Sequence, residues 1–213
     1  MTWTTGKDTS LKMEAPTQVT GTTLLTGGSG GTTKTTDDGR IYFYTDVNTD
    51  SILQLNQSIA EIIHSRKKSA YDLGMDLKDI ATKPISLHIH SYGGSVYPAF
   101  AAVDQVEQSP IAIHTHIEGA AASAATLISM AGKHRTIGKH SYMLIHQMSK
   151  MMWGNYEQLK DDIKNCDQLM AHIRSFYKEH SKMTTKQIQD VLKRDLWFDA
   201  KKALRLGLVD EIL

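Results

Sequence analysis

A single cysteine, Cys166, excludes an internal disulfide and any zinc site built on thiolates. A reducing compartment follows as the expectation, either the cytoplasm or an equivalent such as a plastid stroma. No apolar run approaches the roughly 18 residues that a membrane span needs. The opening MTWTTGKDTS has no apolar h-region, so no secretory signal is expected. Charge excess is absent too. With 24 Lys and Arg against 23 Asp and Glu, the net charge is +1, and bulk electrostatics do not point to nucleic acid. There are no internal repeats. What remains is 213 residues, 40% of them hydrophobic, enough for one domain with a real core.

Residues 1–39 differ from the rest: thirteen are Thr and seven are Gly. Such a stretch buries too little surface to offset its ordering entropy. Residues 1–36 are therefore expected to form a flexible arm, or one that orders against a partner, and 37–213 the folded domain. The segment TGGSGGTTKTT (26–36) suggests a phosphate loop, but Thr33 rather than glycine precedes Lys34. Any ATP dependence would have to come from another subunit.

From Arg40 onward strands alternate with helices. Strands are expected at Ile41–Thr45, Pro84–His90, Ile111–Ile117, His134–Ile137 and Tyr142–His146. Asp50 is a candidate cap for a helix with Ile52, Leu55, Ile59 and Ile62 on one face, and 66–83 reads as a polar loop. Further helices are expected at Val96–Glu107, at Gly119–Ala131, over a long stretch after His146, near a Thr184/Gln187 capping box, and at Asp199–Leu206 before Gly207. This alternation predicts an α/β domain with a largely parallel sheet.

Three short segments could carry chemistry. The turn Tyr92-Gly93-Gly94-Ser95 bares backbone N–H groups that suit an anion, or is simply a tight turn. Ser123 lies in the small-residue run Gly119–Ala125, at a helix start where partial positive charge favours an oxyanion, or in a plain packing helix. His146 ends an apolar strand, and Asp195 lies between basic residues and the pair Trp197-Phe198; either has a structural role in most proteins. His88 with His90, and His114 with His116, alternate at strand spacing, so each pair shares a sheet face. Four imidazoles on adjacent strands could bind a divalent metal. The plainer reading, a partly solvated face, is preferred, and no metal or other cofactor is expected.

In order, Arg40-Ile41-Tyr42-Phe43, Gly93-Gly94-Ser95-Val96, Ala121-Ala122-Ser123, Ile145-His146-Gln147, Arg194-Asp195 and Gly207-Leu208-Val209-Asp210 form a pattern. Over about residues 40–213 the chain resembles the Clp (caseinolytic) peptidase family, serine peptidases of the crotonase-like fold with a protruding handle helix. The resemblance implies that Ser123 is the nucleophile, His146 the general base and then acid, and Asp195 the group orienting the imidazole. It implies an oxyanion hole from the N–H groups of Gly94 and Ala124. It places Gly93, Ser95, Met148, Met151 and Trp153 beside the bound peptide. It also implies a homo-oligomer of two stacked heptameric rings, polypeptide substrates, and a separate AAA+ unfoldase as partner, with no nucleic acid and no membrane.

The handle would span about 149–180. Tyr156, Leu159, Ile163, Cys166, Met170, Ile173 and Tyr177 form a seam at alternating spacings of three and four, suited to another subunit or to the helix's own domain. The chain departs from the family at Tyr92 and Met148, where proline is common, and over Ser149–Gly154, which is less glycine-rich than usual; larger side chains in that last stretch would reshape the cleft. Two alternatives share the pattern: a catalytically silent ring subunit, and a processing protease dedicated to a viral structural protein. An acyl-CoA enzyme of the same fold finds no coenzyme site.

Overall fold

The computed structural model describes residues 31–36, 39–76 and 83–213. Its eight strands are β1 (Thr32–Thr35), β2 (Arg40–Tyr44), β3 (Ile85–Ser91), β4 (Ile113–Ala122), β5 (His134–Ile137), β6 (Tyr142–Leu144), β7 (Trp197–Asp199) and β8 (Glu211–Ile212). The helices are α1 (Thr49–Asp72), α2 (Val96–Glu107), α3 (Ala124–Met130), α4 (Tyr156–His180), α5 (Thr185–Leu192) and α6 (Ala200–Leu206). The strands run in the order β1-β2-β3-β4-β5-β8, with β6 paired to β4 and β7. All pairings are parallel except β1–β2 and β6–β7.

Period-two patterning builds the sheet. Along β3, Ile85, Leu87 and Ile89 are fully buried, while Ser86, His88 and His90 are half-buried on the opposite face. Ile41 and Phe43 of β2 and Ile113 and Ile117 of β4 extend the same apolar layer. Ile52, Leu55 and Ile59 of α1 and Ala99, Ala102 and Val103 of α2 belong to this core. Each fully buried Ile or Leu side chain there is worth about 1.5–3 kcal/mol relative to exposure.

Strand β4 changes partner part-way along. His114–Ile117 pair with β5, but Ala120–Ala122 pair with β6. Between these stretches β3 advances from Ile89 to Ser91 while β4 advances from Ile117 to Ala121, so β4 carries a bulge. Gly119 takes φ +76 within it, and a Cβ there would lie 2.6 Å from His90 Nδ1. The bulge turns the end of β4 toward β6, and Ser123 follows directly.

Several expected boundaries move. Helix α1 continues to Asp72, so 66–72 are helical rather than loop; Ala70 is buried on the face begun by Ile59 and Ile63. Its cap is Asn48, not Asp50: the Asn48 side chain accepts from the Ser51 N–H at 2.9 Å, and Ser51 Oγ accepts from the Asn48 N–H at 3.0 Å. The helix expected at Gly119–Ala131 shrinks to Ala124–Met130, because Ala120–Ala122 join β6; alanine's weak strand preference gives way to pairing. The last strand before the handle ends at Leu144. Thr32–Thr35, assigned to the arm, pairs with β2, whereas residues 1–30 lie outside the described ones. The Thr184/Gln187 capping box and the left-handed Gly207 stop are present as expected.

Helix α4 has 25 residues, so it is about 37 Å long. It buries only Ile173, Phe176 and Tyr177, near its C-terminal end. Toward its start, Tyr156 is 72% and Ile163 51% exposed. The expected seam is thus divided: its last turns pack on the domain, and its first turns project. Among the described residues no helix is long and apolar enough to cross a membrane.

Candidate active site

The site begins where β3 ends. Gly93 at φ +97 and Gly94 at φ +143 occupy backbone regions that side chains disfavour. A Cβ on Gly93 would lie 2.6 Å from both the Ala122 carbonyl oxygen and Ser123 Cβ, and 3.0 Å from the Ala124 nitrogen. A Cβ on Gly94 would lie 2.2 Å from the Val47 carbonyl oxygen. The turn is therefore a close approach of three backbone segments. The Val47 N–H donates to the Gly93 carbonyl at 2.8 Å, and the Ser95 N–H donates to the Val47 carbonyl at 2.7 Å. In such a parallel bridge the N–H of the middle residue, Gly94, points away from Val47.

Ser123 joins β4 to α3 with φ 54 and ψ −127, the one non-glycine residue at positive φ among the described residues. That conformation costs on the order of 1–3 kcal/mol and persists only where neighbours over-determine it. Here they do. The Ser123 N–H donates to the Leu144 carbonyl at 2.8 Å, and its own carbonyl accepts from the Thr126 N–H at 3.0 Å and from Thr126 Oγ1 at 2.6 Å. With the Thr126 hydroxyl proton so used, Tyr177 OH donates to Thr126 Oγ1 at 2.7 Å, tying α3 to α4. Burial pushes the Tyr177 hydroxyl up to about 12, so it keeps its proton. Ala124 opens α3, and its N–H belongs to the first helical turn, which has no acceptor within the helix.

His146 lies two residues beyond β6, and the Gln147 N–H donates to the Leu192 carbonyl at 2.7 Å. His146 Nδ1 is 3.1 Å from Asp195 Oδ1; the histidine side chain is 23% exposed and the aspartate 65%. The sequence brings this about through β7, whose Trp197 pairs with Leu144 and so returns the Asp195 loop to the end of β6.

A cavity of about 210 Å³ opens at this point, lined by Gly94, Ser95, Ser123, His146 and Met148. Ala124 is buried behind Gly93. Met151 and Trp153 stand 88% and 96% exposed, outside the cavity lining. The sequence reading missed Val96 and Tyr97, which follow the glycine turn, and Lys150 and Leu169, which line the same space. Proximity to the motif could have indicated the first two. Leu169 reaches the cavity only because α4 folds beside it, which no local pattern announces.

Elsewhere, a larger cavity of about 780 Å³ is lined by Glu107, Arg135, His180 and Asp210 among others. These four groups serve one another: Arg135 Nη2 bonds Asp210 at 2.6 Å, and His180 Nε2 contacts Glu107 at 2.9 Å. The paired histidines also meet, since His88 and His116 are register partners with ring centroids 4.8 Å apart. One nitrogen of each ring is engaged, His88 Nδ1 with Glu118 at 2.7 Å and His116 Nδ1 with Thr136 Oγ1 at 2.6 Å. Among the described residues, no three His, Cys, Asp or Glu side chains are grouped to hold a metal ion.

A sequence model of the Clp protease family matches residues 38–213. The chain belongs to the Clp protease family. Its mixed α/β sheet with α4 projecting is the Clp peptidase form of the crotonase-like fold. A 100-residue stretch is 35% identical to the ATP-dependent Clp protease proteolytic subunit of Streptococcus mutans and covers 45% of this chain and 50% of that protein. The corresponding subunit of Porphyromonas gingivalis is 31% identical over 100 residues, 45% of this chain and 44% of its own length. Proteolytic subunit 4 of Rhodococcus jostii is 29% identical over 97 residues. The chain thus spans about half the length of these relatives.

Proposed function

We propose that this chain is a serine endopeptidase subunit. The observation carrying that reading is that Ser123 and His146 line one cavity while His146 Nδ1 is 3.1 Å from Asp195. A serine hydroxyl is a weak nucleophile near neutral pH unless a base takes its proton during attack. His146 Nε2 takes that proton from Ser123 Oγ as the oxygen adds to the scissile carbonyl, then returns it to the leaving amine. Asp195 holds the imidazole with Nδ1–H toward itself and stabilises the imidazolium. The N–H groups of Gly94 and Ala124 receive the oxyanion, and losing either donor costs roughly 3–4 kcal/mol of transition-state stabilisation. Water, activated by the same histidine, releases the acyl-enzyme.

The substrates in this reading are unfolded polypeptides, cleaved inside a chamber of two stacked seven-membered rings and delivered by a separate ATP-dependent unfoldase. Support for assembly comes from the projecting start of α4, where Tyr156 and Ile163 are exposed beyond the domain core. Support for the unfoldase lies in the names of the relatives, which are ATP-dependent.

The test uses the purified chain. It should hydrolyse a short fluorogenic peptide and be labelled by a serine-directed phosphonate; Ser123→Ala should abolish both while the native mass is unchanged. A wild-type chain that assembles but neither cleaves nor labels is a silent ring subunit, and labelling that persists in Ser123→Ala removes the nucleophile assignment. A native mass near fourteen subunits supports the chamber, and a monomer opposes it.

A further inference from the structure

Asp195 is exposed, so no packing around its carboxylate fixes it against His146. Its placement must come from the loop 193–196. That loop is held at both ends: the Leu192 carbonyl accepts from the Gln147 N–H, and Trp197 pairs with Leu144 across β6–β7. Both anchors are on the histidine's own segment. One contact ties the loop instead to the glycine turn. The Tyr92 ring meets Trp197 edge to face, with centroids 6.3 Å apart and planes at 86°. Tyr92 immediately precedes Gly93, and its other side is backed by His90 at 5.7 Å. His90 is itself fixed in the β4 bulge, its Nδ1 lying 2.9 Å from the Glu118 carbonyl and 3.2 Å from the Ala120 nitrogen. A continuous ring contact therefore runs from the bulge that delivers Ser123 to the loop that carries Asp195.

We infer that Tyr92 is a positioning residue: by packing on Trp197 it holds the Asp195 loop in register with the Gly93-Gly94 turn, so that the carboxylate stays on His146. The inference rests on the serine-peptidase reading for its consequence in catalysis, but the His146–Asp195 alignment it concerns can be read without turnover. The aromatic ring, not the hydroxyl, makes the contact, so phenylalanine should substitute and alanine should not.

Six chains decide it: wild type, Tyr92→Phe, Tyr92→Ala, Trp197→Ala, Asp195→Ala, and Tyr92→Ala combined with Asp195→Ala. Loss of one edge-to-face pair corresponds to about a tenfold effect at most. Tyr92→Ala should lower kcat on a short peptide about tenfold with KM unchanged, and Tyr92→Phe should stay within about twofold of wild type. In the Asp195→Ala background, Tyr92→Ala should cost nothing more, because the group it positions is gone. Independently, nitrogen NMR of His146 at a pH where the ring is neutral should show mainly the Nδ1–H tautomer in wild type, and loss of that bias in Tyr92→Ala and Trp197→Ala. An equal loss of kcat with and without Asp195, or a tautomer ratio that Tyr92→Ala does not change, overturns the inference. If the wild type neither cleaves nor labels, the peptidase reading fails, while the tautomer ratio still decides the role of Tyr92.

Discussion

Gly93 and Ser123 stand so close that a Cβ on the glycine would be 2.6 Å from the serine's Cβ. The clash is with rigid groups, since the Ala122 carbonyl is equally near. Gly93→Ala must therefore displace the turn from the strand-to-helix junction, and φ +97 adds backbone strain. The expected outcome is a folded chain, destabilised by about 1–3 kcal/mol, whose peptide hydrolysis falls at least a hundredfold. Denaturant midpoints and initial rates check the two parts separately. Normal turnover in this variant would mean that the turn does not shape the site.

Ser123 holds a positive-φ backbone, φ 54 and ψ −127, that glycine adopts far more readily than other residues. Both Ser123→Ala and Ser123→Gly remove the hydroxyl and should be inactive, but they should differ in stability. The glycine variant should be the more stable by about 1 kcal/mol, the cost of the strained backbone less the entropy that glycine loses on folding. Thermal unfolding of the pair reads that difference, and an alanine variant more stable than the glycine variant would show that no strain is stored there.

What the sequence made legible, and what it did not, follows physical lines. Strand β3 was readable because Ile85, Leu87 and Ile89 alternate with polar residues, a pattern fixed by the pleat. Helix α1 was readable to Ile62 and then lost, because the one buried residue of its last turns is Ala70, a residue without a strong apolar signal. The run before Ser123 reads as helix because alanine favours that state, yet it joins the sheet, a decision made by β6 about 20 residues downstream. Likewise the motif residues of the site could be named in advance, but the cavity wall at Leu169 could not, since it exists only once α4 packs.

Lys150 lines the cavity, and its ammonium donates to Asp162 Oδ1 on α4 at 2.6 Å. That hydrogen bond holds the Lys150 ammonium above its ordinary pKa. The pair pins the irregular segment after His146 to the handle. A half-exposed pair of this kind has a modest effect, so Lys150→Met or Asp162→Asn should raise KM for a short peptide about two- to fivefold with little change in kcat. The reversed pair, Lys150→Asp with Asp162→Lys, should recover most of the loss. Steady-state kinetics at low and high salt test this; failure of the reversal to recover KM would mean that Lys150 acts by contacting substrate.

His116 sits in the half-covered face of the sheet, where burial and the neighbouring His88 push its pKa down to about 4. His114 is also lowered, first by burial and then by His134. Glu118, the acidic neighbour, is already engaged by Tyr44 and His88. The folded chain therefore binds fewer protons at His116 than the unfolded chain between about pH 4 and the ordinary histidine value near 6.5. Stability must rise with pH through that window and be complete above it. The contribution is on the order of 1–3 kcal/mol once solvent screening at this face is allowed for. Urea unfolding of the wild type should show a lower midpoint at pH 5 than at pH 7. His116→Phe keeps a ring against His88 but cannot take a proton, so it should lose a substantial part of that difference. A drop between pH 7 and pH 5 as large in the variant as in the wild type would place the acid sensitivity elsewhere.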